Sequence, residues 1–159
     1  DRLTVGLLSL RQPLAVDLRN VVAATKIAAD LERIADYAAN IAKHIPGLSN
    51  ISFDKAIETI VEMAKVTQIM LKEALESYRE SNSEKAKCAW HRDKSIDDLY
   101  PELLNDITSF MKSSPEKIES CTGLIFTGRS IERIGDHITN IAEQIVYIVE
   151  GEIYQGFRE

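Results

Sequence analysis

The chain has 159 residues, of which 45% are hydrophobic, and a formal net charge of −6 at pH 7. This is enough apolar material for one or two compact units, and the acidic balance argues against a nucleic-acid-binding protein, which needs a basic face. The two cysteines are too few for a disulfide framework, and no apolar run reaches the roughly 20 residues that span a membrane. We therefore expect a cytoplasmic protein.

Apolar residues recur every three to four positions along nearly the whole chain, and no stretch alternates for long with a period of two. This pattern predicts an all-α protein. In chain order, the predicted helices cover residues 2–11, 13–45, 53–80, 83–112 and 115–150. A proline opens the second and the fifth, where a first helical turn does not need its missing N–H.

One stretch of the chain occurs twice. Residues 130–145 repeat residues 30–45 without a gap, at an offset of 100, and eight of the sixteen aligned positions are identical. The shared residues include Glu, Arg, Asp and Asn at fixed offsets, which the amphipathic pattern of a helix does not require. The repeat therefore predicts a duplicated structural unit with a polar signature.

The same offset predicts a tandem of three-helix bundles. We expect residues 1–46 to hold the last two helices of the first repeat and residues 47–52 to form a linker. Residues 53–151 should form the complete second repeat, followed by a polar tail at 152–159. Because the chain opens inside an apolar pattern, the first repeat is expected to be truncated at its N-terminus.

The predicted fourth helix has two carboxylates on the seam that should face the core. The seam advances by alternating steps of four and three residues and consists of Ala86, Trp90, Asp93, Asp97, Tyr100, Leu104, Ile107 and Met111. An unpaired buried carboxylate is costly, so Asp93 and Asp97 should be neutralised, solvated or bound to a cation.

Glu132 and Asp136 lie one turn apart on the predicted fifth helix, beside a stripe of isoleucines. Measured from the turn at residues 113–114, the acidic pairs of the two helices differ in height by only about 3 Å. Four carboxylates at one level would suit hard cations, or iron or manganese. His137 points about 100° away from Asp136 and is not expected to bind the same ion.

Glu32 and Asp36 are the equivalent pair in the first repeat. The positions that would complement them precede the first residue of the chain, so they form half of a second site. For both sites the alternative is a set of solvated acidic pairs that are balanced by Arg33, Arg129 or Arg133.

Several segments of the chain resemble the PhoU family. They are residues 11–19, DLERIAD at 30–36, DKSIDDLY at 93–100, IERIGD at 131–136 and residues 150–152. The resemblance covers nearly the whole chain and implies two three-helix repeats, each with an E(D)xxxD pair that can hold a multinuclear iron or zinc cluster at the surface. It also implies a cytoplasmic negative regulator of the phosphate-starvation response, acting between the ATPase subunit of a phosphate ABC transporter and a sensor histidine kinase.

Transferred position by position, the resemblance implies one set of metal ligands: Asp93, Asp97, Glu132, Asp136, Glu32 and Asp36. The expected metal is iron or zinc, with magnesium, manganese or calcium as alternatives, and a homodimer is the expected oligomer. Two other classes stay open: a carboxylate-bridged metalloenzyme of ferritin-like type and a metal-free helical interaction module. No Glu-x-x-His motif and no nucleophile–base pair occur, so an enzyme is not expected.

Overall fold

The computed structural model describes residues 4–6, 15–45 and 53–154. Every regular element in these ranges is helical, which confirms the all-α class. The main helices are α1 (Ala15–His44), α2 (Asp54–Glu80), α3 (Ser83–Arg92), α4 (Lys94–Ser113) and α5 (Ile118–Glu150). A 3-10 turn at Pro115–Lys117 leads into α5. None of the helices in the described ranges combines the length and the hydropathy needed to cross a membrane.

Some predicted segments lie outside the described residues. Of the helix predicted at 2–11, only residues 4–6 are described, and they are helical. The linker predicted at 47–52 is outside the described ranges, and so is the tail predicted at 152–159 beyond residue 154.

The single helix predicted over residues 83–112 is interrupted at Asp93. The N–H of Asp93 donates to the carbonyl of Trp90, three residues back, at 3.2 Å instead of reaching back four residues. Asp93 nevertheless keeps helical φ and ψ angles of −57° and −33°. The chain therefore passes from α3 to α4 without a loop, and one tightened turn sets the direction of the Asp93 side chain.

Helices α2, α3–α4 and α5 form one three-helix bundle. Its core consists of large apolar side chains that are at most 1% exposed, among them Met63, Met70, Ile96, Leu103, Ile107, Leu124, Ile138, Ile141 and Ile145. Burial of each such side chain contributes about 1.5–3 kcal/mol relative to leaving it exposed. α5 is the central element, since it packs against α1, α2, α3 and α4.

Helix α1 packs antiparallel against α5. Asp30 lies near His137, with 2.8 Å between Asp30 Oδ1 and His137 Nδ1, whereas the later His44 stacks on the earlier Phe126 at 5.6 Å between ring centroids. Tyr37 and His137, which occupy equivalent positions in the two repeats, face each other at 5.7 Å. This contact between equivalent residues indicates an approximate two-fold relation between the repeats.

Candidate metal centre

Asp93 is directed from the junction of α3 and α4 towards α5. A Cβ atom on Gly135 would collide with Asp93 Oδ1 and would lie 3.2 Å from Ile96 Cδ1. The missing side chain of Gly135 therefore makes room for the carboxylate. Asp93 Oδ1 is buried and has no hydrogen-bond partner among the described residues, which is an unfavourable state for a carboxylate oxygen.

Three of the four acids predicted in the second repeat border one cavity. Asp93, Asp97 and Asp136 line a volume of about 820 Å³. The fourth, Glu132, lies beside it with a side chain only 16% exposed, and its Oε2 atom is buried without a hydrogen-bond partner in the described part of the chain. The structure therefore places the four predicted carboxylates in one region between α3–α4 and α5.

The pKa values of three of these acids are raised, first by burial and then by the charges of neighbouring acids. Burial, reinforced by the charges of Asp97, Asp136 and Glu132, raises the pKa of Asp93 to about 7. Asp97 is exposed overall, but partial desolvation beside the cavity raises its pKa, with the charge of Asp136 as the next cause. Burial and then Asp136 raise the pKa of Glu132. The cluster therefore carries negative charge that its surroundings do not fully compensate.

The two acids on α5 each pair with an arginine of their own helix. Arg129 Nη1 donates to Glu132 Oε1 at 2.6 Å, and Arg133 Nη1 donates to Asp136 Oδ2 at 2.9 Å. Both pairs have the i,i+3 spacing of helix neighbours. The acids of α3–α4 have no such partner, since Asp93 and Asp97 form no ion pair with any described residue.

In this structure the four acidic side chains do not have the geometry of a metal site. Within the described ranges, no group of three or more Asp, Glu, His or Cys side chains has the geometry of a metal site. On α5 the arginines engage one oxygen of Glu132 and one of Asp136. A cation that used all four acids would have to draw Glu132 and Asp136 away from those arginines.

The predicted seam of the fourth helix is correct at Asp93 and wrong at Asp97. Asp93 is partly buried, whereas Asp97 is exposed and the preceding Ile96 takes the core position at 0% exposure. In the same way Leu103 is buried in place of the predicted Leu104. α4 packs against both α2 and α5. Its buried face is therefore shifted from the stripe that contains Asp97 and Leu104 to the neighbouring stripe that contains Ile96 and Leu103. Asp97 therefore belongs to the rim of the cavity.

The first-repeat pair, Glu32 and Asp36, lies exposed on α1. Asp36 Oδ2 is 3.6 Å from Arg33 Nη1, which repeats the pairing of arginine and aspartate on α5. A second cavity, of about 520 Å³, is bordered by Asp36, Tyr37 and His137, among others. The structure thus places this pair on a separate and more open surface.

One wall of each cavity is formed by equivalent residues of the two repeats. Residues at the same repeat positions line them: Arg133, Asp136, His137 and Asn140 in the larger one, and Arg33, Asp36, Tyr37 and Asn40 in the smaller one. Tyr37 and His137 each border both cavities, because they meet near the approximate two-fold axis. The duplication seen in the sequence is therefore a duplication of these surfaces.

Asp30 connects the repeats beside the larger cavity and is absent from the sequence prediction. Its Oδ1 atom lies 2.8 Å from His137 Nδ1 and accepts a hydrogen bond from Asn140 Nδ2 at 3.4 Å. His137 thus borders the cavity, but Asp30 occupies one of its ring nitrogens. No sequence signal points to this contact, because it joins residues more than 100 positions apart and the equivalent of Asp30 is Ser130.

A family model for the PhoU domain matches residues 1–45 and 60–145. The chain belongs to the PhoU family. It is 40% identical over 153 residues to the phosphate-specific transport system accessory protein PhoU homolog of Caulobacter vibrioides, covering 96% of this chain and 66% of the relative. The homolog of Rhizobium meliloti is also 40% identical, over 149 residues that cover 93% of this chain and 63% of that protein. The chain spans about two thirds of the length of these relatives.

Solved structures agree with the fold. The crystal structure of PhoU from Pseudomonas aeruginosa has a TM-score of 0.85 at 32% identity, covering 94% of this chain and 72% of that one. The phosphate transport system regulatory protein PhoU from Streptococcus pneumoniae has a TM-score of 0.87 at 31% identity, covering 97% and 72%. Together with the match in two blocks, these structures confirm tandem helical bundles. The names describe accessory or regulatory proteins, not enzymes.

Proposed function

We propose that this PhoU-family chain is part of a cytoplasmic negative regulator of phosphate uptake and phosphate-starvation signalling. It would act as an adaptor between the ATPase subunit of a phosphate ABC transporter and a sensor histidine kinase. The observation that carries the proposal is the 40% identity, over 96% of this chain, to a phosphate-specific transport system accessory protein. An all-helical protein without a nucleophile–base pair is suited to regulate through its binding surfaces.

We further propose that Asp93, Asp97, Glu132 and Asp136 hold a metal cation. The support is the burial of Asp93 Oδ1 and Glu132 Oε2 without hydrogen-bond partners, together with the raised pKa values of these acids. A bound cation would supply the positive charge that offsets the repulsion among the carboxylates. The half-site of Glu32 and Asp36 would bind more weakly, because it is exposed.

The chemistry of the proposed ligands favours some metals over others. All four proposed ligands are carboxylates, which suit magnesium, calcium, manganese and iron, whereas zinc sites more often include nitrogen or sulfur ligands. Iron is therefore preferred over zinc. A ferritin-like enzyme gains no support, since its usual Glu-x-x-His motif does not occur in the sequence.

The adaptor role is tested by binding of the transporter's ATPase subunit. The immobilised protein should retain the purified ATPase subunit of the phosphate transporter from the same organism, and it should not retain the ATPase subunit of an unrelated ABC transporter. The assay is run at low and high phosphate, with manganese and with chelator. Absence of retention under all four conditions would contradict the proposed adaptor role.

A further inference from the structure

Helix α2 has a second apolar stripe outside the one that faces the core. The core-facing stripe consists of Ala56, Ile60, Met63, Thr67, Met70, Ala74 and Ser77. Each of these residues is followed directly by a member of a second set, which we call the outer seam: Ile57, Val61, Ala64, Gln68, Leu71, Leu75 and Tyr78. One residue along a helix is about 100° around it, so the outer seam lies on the neighbouring face.

The bundle buries the first stripe and leaves much of the second exposed. In the core-facing stripe Met63 and Met70 are 0% exposed. In the outer seam Val61 is 44% exposed, Leu75 is 43% exposed and Tyr78 is 44% exposed. The apolar seam residues on either side of Gln68 are half-buried against the core, so the exposed apolar surface lies towards the two ends of α2. Exposed apolar patches of this kind mark protein–protein contacts.

The spacing of the outer seam indicates that its partner is another helix. The seam advances by alternating steps of four and three residues from Ile57 to Tyr78, over about 32 Å of helix. This is the repeat of a coiled coil, in which two helices keep their apolar seams in register by interlocking side chains.

The seam is complementary to itself when it is paired antiparallel. Its central member is Gln68, with three seam residues on either side. A second copy related by a two-fold axis at this residue would place the two Gln68 amides opposite each other. Leu71 would then face Ala64 of the other copy. Further out, Leu75 would face Val61, and Tyr78 would face Ile57. A single polar residue in such a seam fixes its register, and an isologous contact needs this self-complementarity.

The charges beside the seam favour the same orientation. Glu58 follows the first seam residue, and Arg79 follows the last, so both lie on the same flank. Antiparallel pairing brings Glu58 of each copy close to Arg79 of the other, whereas parallel pairing brings equivalent charges to the same end. The pairing also brings Lys65 near Lys72, but Lys72 lies 4.0 Å from Glu76, which offsets part of this repulsion.

We propose that the outer seam of α2 is the interface of a homodimer, in which two copies of α2 pair antiparallel about an axis at Gln68. This inference goes beyond the adaptor and cation proposals and does not depend on either. It assigns a specific surface to the homodimer that the sequence leads us to expect.

The interface is tested with the variant V61E/L75E, measured by analytical ultracentrifugation. In the antiparallel pair these two positions face each other, so dimerisation should weaken roughly a hundredfold or more as like charges are opposed. I118E is the matched control, because Ile118 is also an exposed apolar residue, at 50%, but lies on α5 outside the seam. Circular dichroism checks that both variants fold. A monomeric wild-type protein at every concentration, or a V61E/L75E dimer of unchanged affinity, would overturn the proposal and leave the seam to a different partner.

The orientation is tested with single cysteines in a C88S background, since Cys88 is exposed whereas Cys121 is buried. Under oxidation Q68C should form a covalent dimer, because its two copies meet at the axis. I57C should not, because antiparallel pairing holds its copies about 33 Å apart, far beyond disulfide reach. A disulfide through I57C, or none through Q68C, would overturn antiparallel pairing.

A charge exchange gives an independent test of the register. E58R alone and R79E alone should each weaken the dimer, since each creates a like-charge contact between the copies. The double variant E58R/R79E should restore wild-type affinity. A double variant as weak as the single ones would overturn the proposed contact between these ends.

Discussion

The acidic pairs of the two repeats share the same sequence spacing but have different surroundings. Glu132 on α5 is 16% exposed, and burial raises its pKa, whereas Glu32 on α1 is exposed. The side chains of the second acids differ in the same direction, with Asp136 at 41% and Asp36 at 59%. The motif therefore does not determine the environment; the neighbouring helix does.

The contact between arginine and aspartate is the part of each site that arises within a single helix. Asp36 and Asp136 each lie beside the arginine three positions earlier, at 3.6 Å and 2.9 Å, so this contact follows from the helical spacing alone. The buried, unpartnered oxygen of Asp93 has no counterpart among the described residues of the first repeat. The comparison therefore isolates what Asp93, and the glycine that admits it, add to the acidic pair on α5.

The largest effect is expected from filling the space at Gly135. G135V places a branched side chain against Asp93 and Ile96, and this overpacking should lower the free energy of unfolding by about 2–3 kcal/mol. A35V is the matched change at the equivalent, exposed position of α1 and should cost less than about 1 kcal/mol. Urea unfolding measures both. Equal losses would show that the Asp93 side chain does not depend on this glycine.

The next effect concerns the pH dependence of the metal-free protein. The unfolded chain releases the Asp93 proton near the ordinary pKa of 3.8, whereas the folded protein keeps it until about pH 7. The contribution of Asp93 to the free energy of unfolding should therefore fall as pH rises between these values and level off above them. D93N removes the part of this fall that Asp93 contributes, whereas Asp97 and Glu132, whose pKa values are also raised, keep their own contributions. The substitution should stabilise the protein at pH 8 by about 1–2 kcal/mol, a figure reduced for screening by water.

The control for D93N is D36N in the exposed pair, which should change stability by less than about 0.5 kcal/mol. Both variants are unfolded in urea at pH 5 and pH 8 with chelator present. A D93N protein that is less stable than the wild type at pH 8 would mean that the carboxylate has a favourable partner in the folded state.

The smallest effect is expected from the arginines. R133Q removes an ion pair whose members are 44% and 41% exposed, and should change the free energy of unfolding by less than about 1 kcal/mol. Because Arg133 competes for Asp136, its loss should raise the cation affinity of the second-repeat site several-fold. R33Q should leave that affinity unchanged. Loss of cation binding in R133Q would show that the arginine supports the site instead of competing for it.

Sequence reasoning was most successful where the signal is local. The helices follow from apolar spacing, and the duplication of the acidic pair follows from the offset of 100 between Asp36 and Asp136. It could not decide that Ile96 rather than Asp97 faces the core, since both stripes of α4 contain apolar residues and only packing against two helices selects one. Nor could it predict the contact between Asp30 and His137, which exists only once α1 packs on α5.

The central claim is that Asp93 and the acids of α5 form a cation site that the first-repeat pair alone cannot form. It is tested most directly by isothermal titration of chelator-treated protein with manganese or ferrous iron, followed by elemental analysis. The wild type and E32Q/D36N should bind with similar affinity, whereas D93N/D136N should lose most of the binding while remaining folded. Equal metal content in D93N/D136N and wild-type protein would contradict this account.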